Sequence, residues 1–141
     1  MSIERIFGIA GTALNSQMIR MNATASNLAN AGTVASSEGD AFRAKRPVFK
    51  ALVDKEVTNS GFQHVGGVKV DRIVDDQTPV RKVYSPGNPL ADKDGFVFSS
   101  NVSEVTEMVE MMAAARSYQN NVEVVNTARE LMMRTLEVIK A

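Results

Sequence analysis

Apolar residues at both ends of the chain recur every three or four positions, the spacing of one face of a helix. They run from Ile3 to Leu28 and again from Val102 to Ile139, and no glycine or proline follows Gly95. At about 1.5 Å per residue the second helix would be roughly 55 Å long. A compact domain of 141 residues is only about 35 to 40 Å across. The pattern therefore predicts two helical arms whose apolar stripes are covered by other chains.

The middle of the chain has a different pattern, with all four prolines between Pro47 and Pro89 and short runs of β-forming residues. The first two predicted strands form a hairpin across Gly66 and Gly67. The predicted strands are residues 62–65, 68–74, 80–84 and 96–98.

The predicted fold is mainly α, with the N- and C-terminal helices pairing as an elongated coiled-coil-like inner domain around a small β-rich middle region. The predicted boundaries are 1–31 for the first helical arm, 32–98 for a loop and small β-hairpin region, and 99–141 for the long helix. A loop is predicted over residues 30–39, where the first arm ends. Asn101 is predicted to be the N-cap of that helix, with Glu104 completing a capping box.

The amino-acid composition argues against several classes of function. Sixteen basic residues balance sixteen acidic ones, so no overall field attracts nucleic acid. Only 6% of residues are aromatic and there is no tryptophan, which suits helix packing better than a ligand pocket. The chain has no cysteine, which removes thiolate nucleophiles and cysteine zinc sites.

No residue group predicts catalysis, a cofactor or a metal. His64 is the only histidine and is interpreted as a surface residue. The run from Asp92 to Gly95 lacks the glycine and glutamate spacing of an EF-hand and is interpreted as a polar turn. A basic cluster is interpreted as a solvated or interface-rim patch, because no aromatic platform accompanies it. Its members are Arg43, Lys45, Arg46 and Lys50.

The amino terminus has a short apolar run behind Arg5, but Glu4 offsets that charge and the helical pattern continues past any cleavage point. We expect a retained helix and no membrane span, because no stretch reaches about 18 uninterrupted apolar residues.

Two motifs near the ends carry a resemblance to a known family. The run SNLANAGT at residues 26–33, followed by FRA at 42–44, resembles the amino-terminal signature of the axial proteins of the bacterial flagellum. The run RSYQNNV at 116–122, continuing to NTA at 126–128, resembles their carboxy-terminal signature.

The middle is similar to one branch of that family, the proximal rod subunits or FlgC family. The similar runs are GVKV at 67–70, YSPGNPLAD at 84–92 and GFV at 95–97. The resemblance spans essentially the whole chain.

The resemblance implies a structural subunit of the proximal rod that forms the drive shaft and lines the export channel. The implied partners are other rod subunits, copies of the same chain, the basal membrane ring or its adaptor, and the flagellar type III export apparatus, without nucleic acid or a small-molecule substrate. The implied location is the rod crossing the periplasm, reached without a cleaved signal peptide.

The residues expected to form the assembly interface combine the apolar stripes with neighbouring polar positions. They are Phe7, Leu14, Met18, Met21, Leu28, Asn27, Asn30, Val109, Met112, Tyr118, Gln119, Val122, Val125, Asn126, Met132 and Leu136. Two alternatives stay open: a cytoplasmic coiled-coil adaptor or secretion chaperone, and a small enzyme whose site forms between subunits.

Overall fold

A computed structural model describes residues 3–52 and 66–140 and shows two long terminal helices around short strands, which confirms the predicted fold class. The first helix has 27 residues and the second has 37. In chain order the elements are α1 (Ile3–Ala29), β1 (Val34–Ala35), β2 (Lys45–Ala51), β3 (Val68–Asp75), β4 (Arg81–Tyr84), β5 (Phe96–Ser99) and α2 (Glu104–Lys140).

Helix α1 ends in a tight turn. The Asn30 N–H donates to the carbonyls of Ser26 and Asn27, at 3.2 and 3.1 Å, and the Ala31 N–H donates to that of Leu28. These bonds satisfy carbonyls that the end of the helix would otherwise leave without partners. Strand β1 lies inside the segment that was predicted to be a loop. The sequence did not predict this strand because two residues are too few to produce an alternating pattern.

Helix α2 begins later than predicted, and the predicted N-cap is wrong. Ser103 immediately precedes the first helical residue, and its carbonyl accepts the Glu107 N–H at 2.9 Å. The Thr106 hydroxyl donates to the Ser103 Oγ at 3.1 Å. Asn101 cannot cap this helix because its side chain binds backbone groups elsewhere, as described below.

A three-stranded antiparallel sheet has the order β1-β5-β4. Val34 pairs with Ser99 on one side, while Arg81 pairs with the same residue on the other. Both β4 and β5 lie where the sequence predicts strands. Val97 of the central strand is buried.

Strand β3 lies where the sequence predicts the second strand of the hairpin across Gly66 and Gly67. Strand β3 pairs with β2, and the bonds from Leu52 N to Gly67 O and from Asp76 N to Ala44 O show that they run antiparallel. The partner predicted for β3, residues 62–65, lies outside the described residues. Strand β2 was missed because Lys45, Arg46 and Lys50 interrupt any alternation of its apolar residues.

Backbone contacts divide the chain into two compact units. Unit 1 contains described residues 3–19, 48–52, 66–72 and 113–140, and unit 2 contains Arg20–Pro47 and Ile73–Met112. Unit 2 has a small apolar core of Ala31, Ala44 and Val102, with Phe42 packed against it. None of the described helices has an apolar stretch long enough to cross a membrane.

Candidate assembly interface

Asn27 joins helix α1 to strand β2 inside unit 2. Its Oδ1 accepts the Lys45 N–H at 2.7 Å and its Nδ2 donates to the Lys45 carbonyl at 3.0 Å, so the amide binds both backbone groups of one residue. The same Nδ2 donates to Glu107 Oε2 at 2.9 Å. Asn27 is fully buried. One side chain thus connects α1, β2 and α2.

Glu107 is the largest fully buried side chain in the described part of the protein, with 0% of its surface exposed. Arg46 Nη1 lies 2.7 Å from Glu107 Oε1, close enough for an ion pair, although the angles do not meet hydrogen-bond geometry. A buried carboxylate requires such partners because its desolvation is expensive. Asn27 and Arg46 therefore hold this turn of α2 in place.

Asn101 supports the adjacent backbone from the other side. Its Oδ1 accepts the Ala44 N–H at 2.8 Å, and its Nδ2 donates to the carbonyls of Asp76 and Thr78 at 3.1 and 2.8 Å. The Ala44 carbonyl accepts the Asp76 N–H at 2.8 Å. We call this polar cluster the junction; its members are Asn27, Ala44, Lys45, Arg46, Asn101 and Glu107.

Three members of the basic cluster, which was interpreted as a solvated or interface-rim patch, make contacts within unit 2. Arg43 Nη1 donates to the Thr78 carbonyl at 3.2 Å, and Arg46 reaches both Glu107 and Asp76. Lys45 forms an ion pair with Asp75. These partners are far from the cluster in sequence: Asp75, Asp76 and Thr78 lie at or just after the end of β3, and Glu107 lies on α2.

Asp76 belongs to the same network and has a perturbed acidity. The Thr78 hydroxyl and the Thr78 N–H both donate to its Oδ1, and Arg46 lies 3.5 Å from its Oδ2. These interactions, the Thr78 hydroxyl bond first, hold the pKa of Asp76 below its usual range.

The two helices of unit 2 turn polar residues toward each other. Besides the bond between Asn27 and Glu107, Arg20 forms an ion pair with Glu110. Because position 27 meets 107 while position 20 meets 110, the helices run antiparallel here. The facing sides of α1 and α2 in unit 2 are therefore joined by polar contacts.

The apolar residues of α2 in unit 2 lie on the opposite face. A row at i, i+3, i+4 and i+7 is 47 to 69% exposed, and it lies about 150° around the helix from Glu107. We call this row the outer ridge; its members are Val105, Met108, Val109 and Met112. An exposed apolar row of this kind is a candidate surface for contact with another chain.

Unit 1 has its own close contact between α1 and β3. Thr12 Oγ1 accepts the Val68 N–H at 3.2 Å and donates to the Ile9 carbonyl at 2.7 Å, while the buried Ser16 donates to the Val68 carbonyl at 3.3 Å. Gly67 has a φ of 130°, and a Cβ there would lie 2.7 Å from Thr12 Oγ1. Only glycine fits this approach.

A shallow apolar groove also lies in unit 1, with a volume of about 360 Å³. Ile6 contributes from α1, and Val124 and Leu131 are exposed residues that contribute from α2. Further along α2, Leu136, Val138 and Ile139 are also exposed. The second half of α2 thus carries apolar side chains that the described part of the chain does not cover.

The predicted interface residues fall into three groups. Exposed residues are Met18, Val109, Met112, Gln119, Asn126 and Leu136. Half-buried residues are Phe7, Leu14, Met21, Leu28, Asn30, Tyr118, Val122, Val125 and Met132. Asn27 stands alone as a fully buried residue, which contradicts its place at an intermolecular interface, because its amide is used within the chain.

The polar turn predicted at residues 92–95 is confirmed. Asp92 Oδ1 accepts the N–H groups of Asp94 and Phe96 at 3.0 and 2.8 Å, and Gly95 has a positive φ of 81°. The Phe96 bond holds the pKa of Asp92 below its usual range. His64 lies outside the described residues, and no cluster of potential metal ligands occurs among residues 3–52 and 66–140.

Sequence reasoning missed Glu107, Arg46 and Asn101 as functional positions. Glu107 was counted among the glutamates that favour the start of a helix, and only its position on the face opposite the outer ridge distinguishes it. The junction also explains the amino-terminal motif, since Asn27 and Ala31 precede a turn that returns Phe42, Arg43 and Ala44 to the same core.

Comparisons with known proteins agree with this arrangement of motifs. The family model for flagella basal body rod proteins matches residues 7–34, and that for the C-terminal region of flagellar basal body rod FlgEFG proteins matches residues 93–138. The chain is 48% identical over 136 residues to the flagellar basal-body rod protein FlgC of Yersinia enterocolitica, which is 96% of this chain and 97% of that protein. It is 41% identical over 140 residues to FlgC of Buchnera aphidicola subsp. Acyrthosiphon pisum, 98% of each.

Proposed function

The chain belongs to the FlgC family of flagellar basal-body rod proteins, and from that premise we propose that it is a subunit of the proximal rod that transmits torque and lines the export channel. Its role is structural and not enzymatic. The proposed inner domain combines the two terminal segments, residues 1–31 and 99–141.

One observation carries this proposal: in unit 2, helix α2 buries a polar side chain and leaves a row of apolar side chains exposed. Glu107 is completely buried, whereas Met112 on the same helix is 64% exposed. Burying a valine or methionine side chain contributes about 1.5 to 3 kcal/mol. A chain that leaves this contribution unused in isolation is suited to obtaining it from neighbouring subunits.

Torque transmission follows from many such contacts acting together. Each apolar contact is weak, but a shaft repeats it at every subunit, and shear must break all of them at once. The polar junction supports the same role, because a cluster joined by directional hydrogen bonds and an ion pair resists internal deformation more than an apolar core that can repack. Load would then pass between subunits and not be lost within one.

The proposed partners are other rod subunits, further copies of the chain, the membrane ring at the base of the rod or its adaptor, and the type III apparatus that exports the subunit. The proposed location is the rod where it crosses the periplasm, after export without a cleaved signal. No contact described above calls for nucleic acid or a small-molecule substrate.

The test is incorporation into purified basal bodies. We expect Val109→Asp to remove the subunit from the rod and to abolish motility, because it places a charge in an apolar contact. Thr106→Asp is the matched control: it adds the same charge to an exposed site on the same helix, outside the outer ridge.

Helix content by circular dichroism must be the same for both variants, so that misfolding does not explain the result. Normal motility of the Val109→Asp strain would overturn the proposal. Stable oligomers of fixed size in dilute solution would favour the coiled-coil adaptor or secretion chaperone instead.

A further inference from the structure

The outer ridge can be compared with a row of exposed residues on the other helix of unit 2. On α1, four exposed residues occur at i, i+3, i+4 and i+7, the same spacing as the outer ridge. We call this row the small-residue surface; its members are Asn22, Ala25, Ser26 and Ala29. It lies on the far side of α1 from Asn27, just as the outer ridge lies on the far side of α2 from Glu107.

The two rows are complementary in size. The outer ridge consists of two valines and two methionines, whereas two alanines and a serine leave α1 with a low surface between Met21 and Leu28. Helices pack by placing the side-chain ridge of one into a groove of the other, and small residues permit the closer approach. Methionine adapts well to such a surface because its chain is unbranched and flexible.

The charges are also compatible. No charged residue occurs from position 21 to position 37, so covering the small-residue surface buries no charge. On α2, Glu107 is buried and Glu110 is paired with Arg20, which leaves Glu104 at the edge of the outer ridge. The contact therefore has no charged residue within either row, and Glu104 lies only at its edge, so little charge is desolvated.

We propose that the outer ridge of one copy packs against the small-residue surface of a second copy. This inference rests on the proposed function. The two surfaces are different, so each copy retains one of each after the contact forms, and the contact can continue from copy to copy. Packing of one outer ridge on another would instead stop at two copies.

The small size of the contact fits an assembly better than a stable dimer. A standard protein interface uses about 20 to 30 residues from each partner, whereas each row supplies four. The free subunit would therefore stay monomeric, and the contact would form where other interactions in the rod already hold the copies side by side.

Cross-linking tests the pairing, and the absence of cysteine in the native chain makes each introduced thiol unique. Ala25→Cys and Val109→Cys variants are expressed together in flagellated cells that lack the native protein, and basal bodies are purified and treated with a short bifunctional maleimide. The control combines Val109→Cys with Lys93→Cys, which is exposed on unit 2 outside both rows.

We expect cross-linked dimers from the 25 and 109 pair at least roughly tenfold above the control pair, because a specific contact raises the effective concentration of the thiols to the millimolar range. Cells with Val109→Cys alone or Ala25→Cys alone should give only the control level.

Three results would overturn the inference: a dimer from Val109→Cys alone, which indicates ridge-to-ridge packing; a dimer from Ala25→Cys alone; or a mixed pair no better than the control. If mass spectrometry finds both variants in the basal bodies but the mixed cross-link is absent, the pairing is wrong and the proposed function stands. If the chain is absent from basal bodies that contain the other rod proteins, the proposed function fails as well.

Discussion

The junction and the last turns of α2 differ in what they bury, although both include part of the same helix. The junction buries polar side chains, whereas the last turns leave apolar side chains exposed. At the junction, Glu107 has no exposed surface and is held by Asn27 and Arg46. Toward the end of the helix, Leu136 and Ile139 are 47 and 75% exposed. One region completes its contacts within the chain, while the other leaves apolar surface to be completed by neighbours.

The difference has a physical reason. A buried polar group without a partner costs about 1 to 3 kcal/mol, so a polar cluster must be completed by the chain that contains it. A single subunit tolerates an exposed apolar group. The same group stabilises the assembly once another subunit covers it. Polar contacts therefore specify the register of the fold, and apolar contacts are available for assembly.

The largest expected difference between the two regions is in the protection of their amide hydrogens from exchange in the free subunit. Residues 108–114 of α2 follow the junction, and residues 132–139 lie in the exposed part. Because local opening ranges from almost no free energy at frayed ends to the full unfolding value in packed helices, we expect protection roughly a thousandfold higher in the first group.

Mass spectrometry of peptides from the two regions measures the ratio of their protection. Both peptides come from α2, so the comparison is made within one helix. Equal protection along α2 would break the comparison, since it would mean that the free subunit already stabilises its own end. In the assembled rod, the difference should become much smaller.

Removing the central amide of the junction should have the next largest effect. Asn27→Ala deletes three hydrogen bonds and leaves Lys45 backbone groups and one Glu107 oxygen without partners. At about 1 to 3 kcal/mol for each buried group left unsatisfied, we expect a loss of about 3 kcal/mol or more in the free energy of unfolding, measured with urea.

Asn22→Ala is the matched control, because it makes the same substitution at an exposed position of the same helix. It should change stability by less than about 0.5 kcal/mol. If both variants unfold at the same urea concentration, the junction does not hold unit 2 together.

The sequence predicted the parts of the fold that depend on local pattern. The periodicity of α1 and α2 predicted both helices, and β4 and β5 lie where β-forming residues occur between turns. Strand β2 was missed because Lys45, Arg46 and Lys50 hide its alternation. The charges of Lys45 and Arg46 are balanced by Asp75 and Asp76, about 30 positions later, which no local pattern can reveal.

The candidate site was harder to predict, because the direction in which a helix face points is not local information. The apolar stripe of α2 was expected to face a partner, and Val109 and Met112 are indeed exposed. Asn27 was assigned to the interface because it lies in a motif, yet its neighbours in space are Lys45 and Glu107. A motif marks an important residue without showing whether it serves its own chain or another.

A smaller effect tests whether unit 1 also contains a contact fixed by its own chain. Gly67→Ala places a Cβ 2.7 Å from Thr12 Oγ1 at a backbone conformation that favours glycine. We expect a loss of about 1 to 3 kcal/mol, typical of strain at such positions. The measurement is the urea midpoint of the full chain.

Gly11→Ala supplies a control with the opposite sign. Gly11 lies in α1 with no atom near its added Cβ, and alanine is favoured over glycine within a helix by about 0.5 to 1 kcal/mol. Stabilisation by Gly11→Ala together with destabilisation by Gly67→Ala would confirm that the contact itself is responsible. An unchanged urea midpoint for Gly67→Ala would show that the backbone of unit 1 shifts to accept the added Cβ, so that the contact with Thr12 is not fixed.

The smallest effect concerns the acid dependence of the junction. Because the Thr78 bonds and Arg46 lower the pKa of Asp76 in the folded protein, the ionised carboxylate stabilises the fold above the usual aspartate value of about 3.9. That stability is lost as the pH falls through the lowered pKa, so the affected window lies below about pH 4.

Asp76→Asn keeps the shape of the side chain and removes its titration. The urea midpoint of this variant should therefore fall less between pH 5 and pH 3 than that of the native chain. Asp94→Asn, at an exposed turn, should fall as the native chain does. An equal fall for Asp76→Asn and the native chain would show that the Asp76 charge does not stabilise the junction, and that Asn101 and Asn27 hold Ala44 and Lys45 there without it.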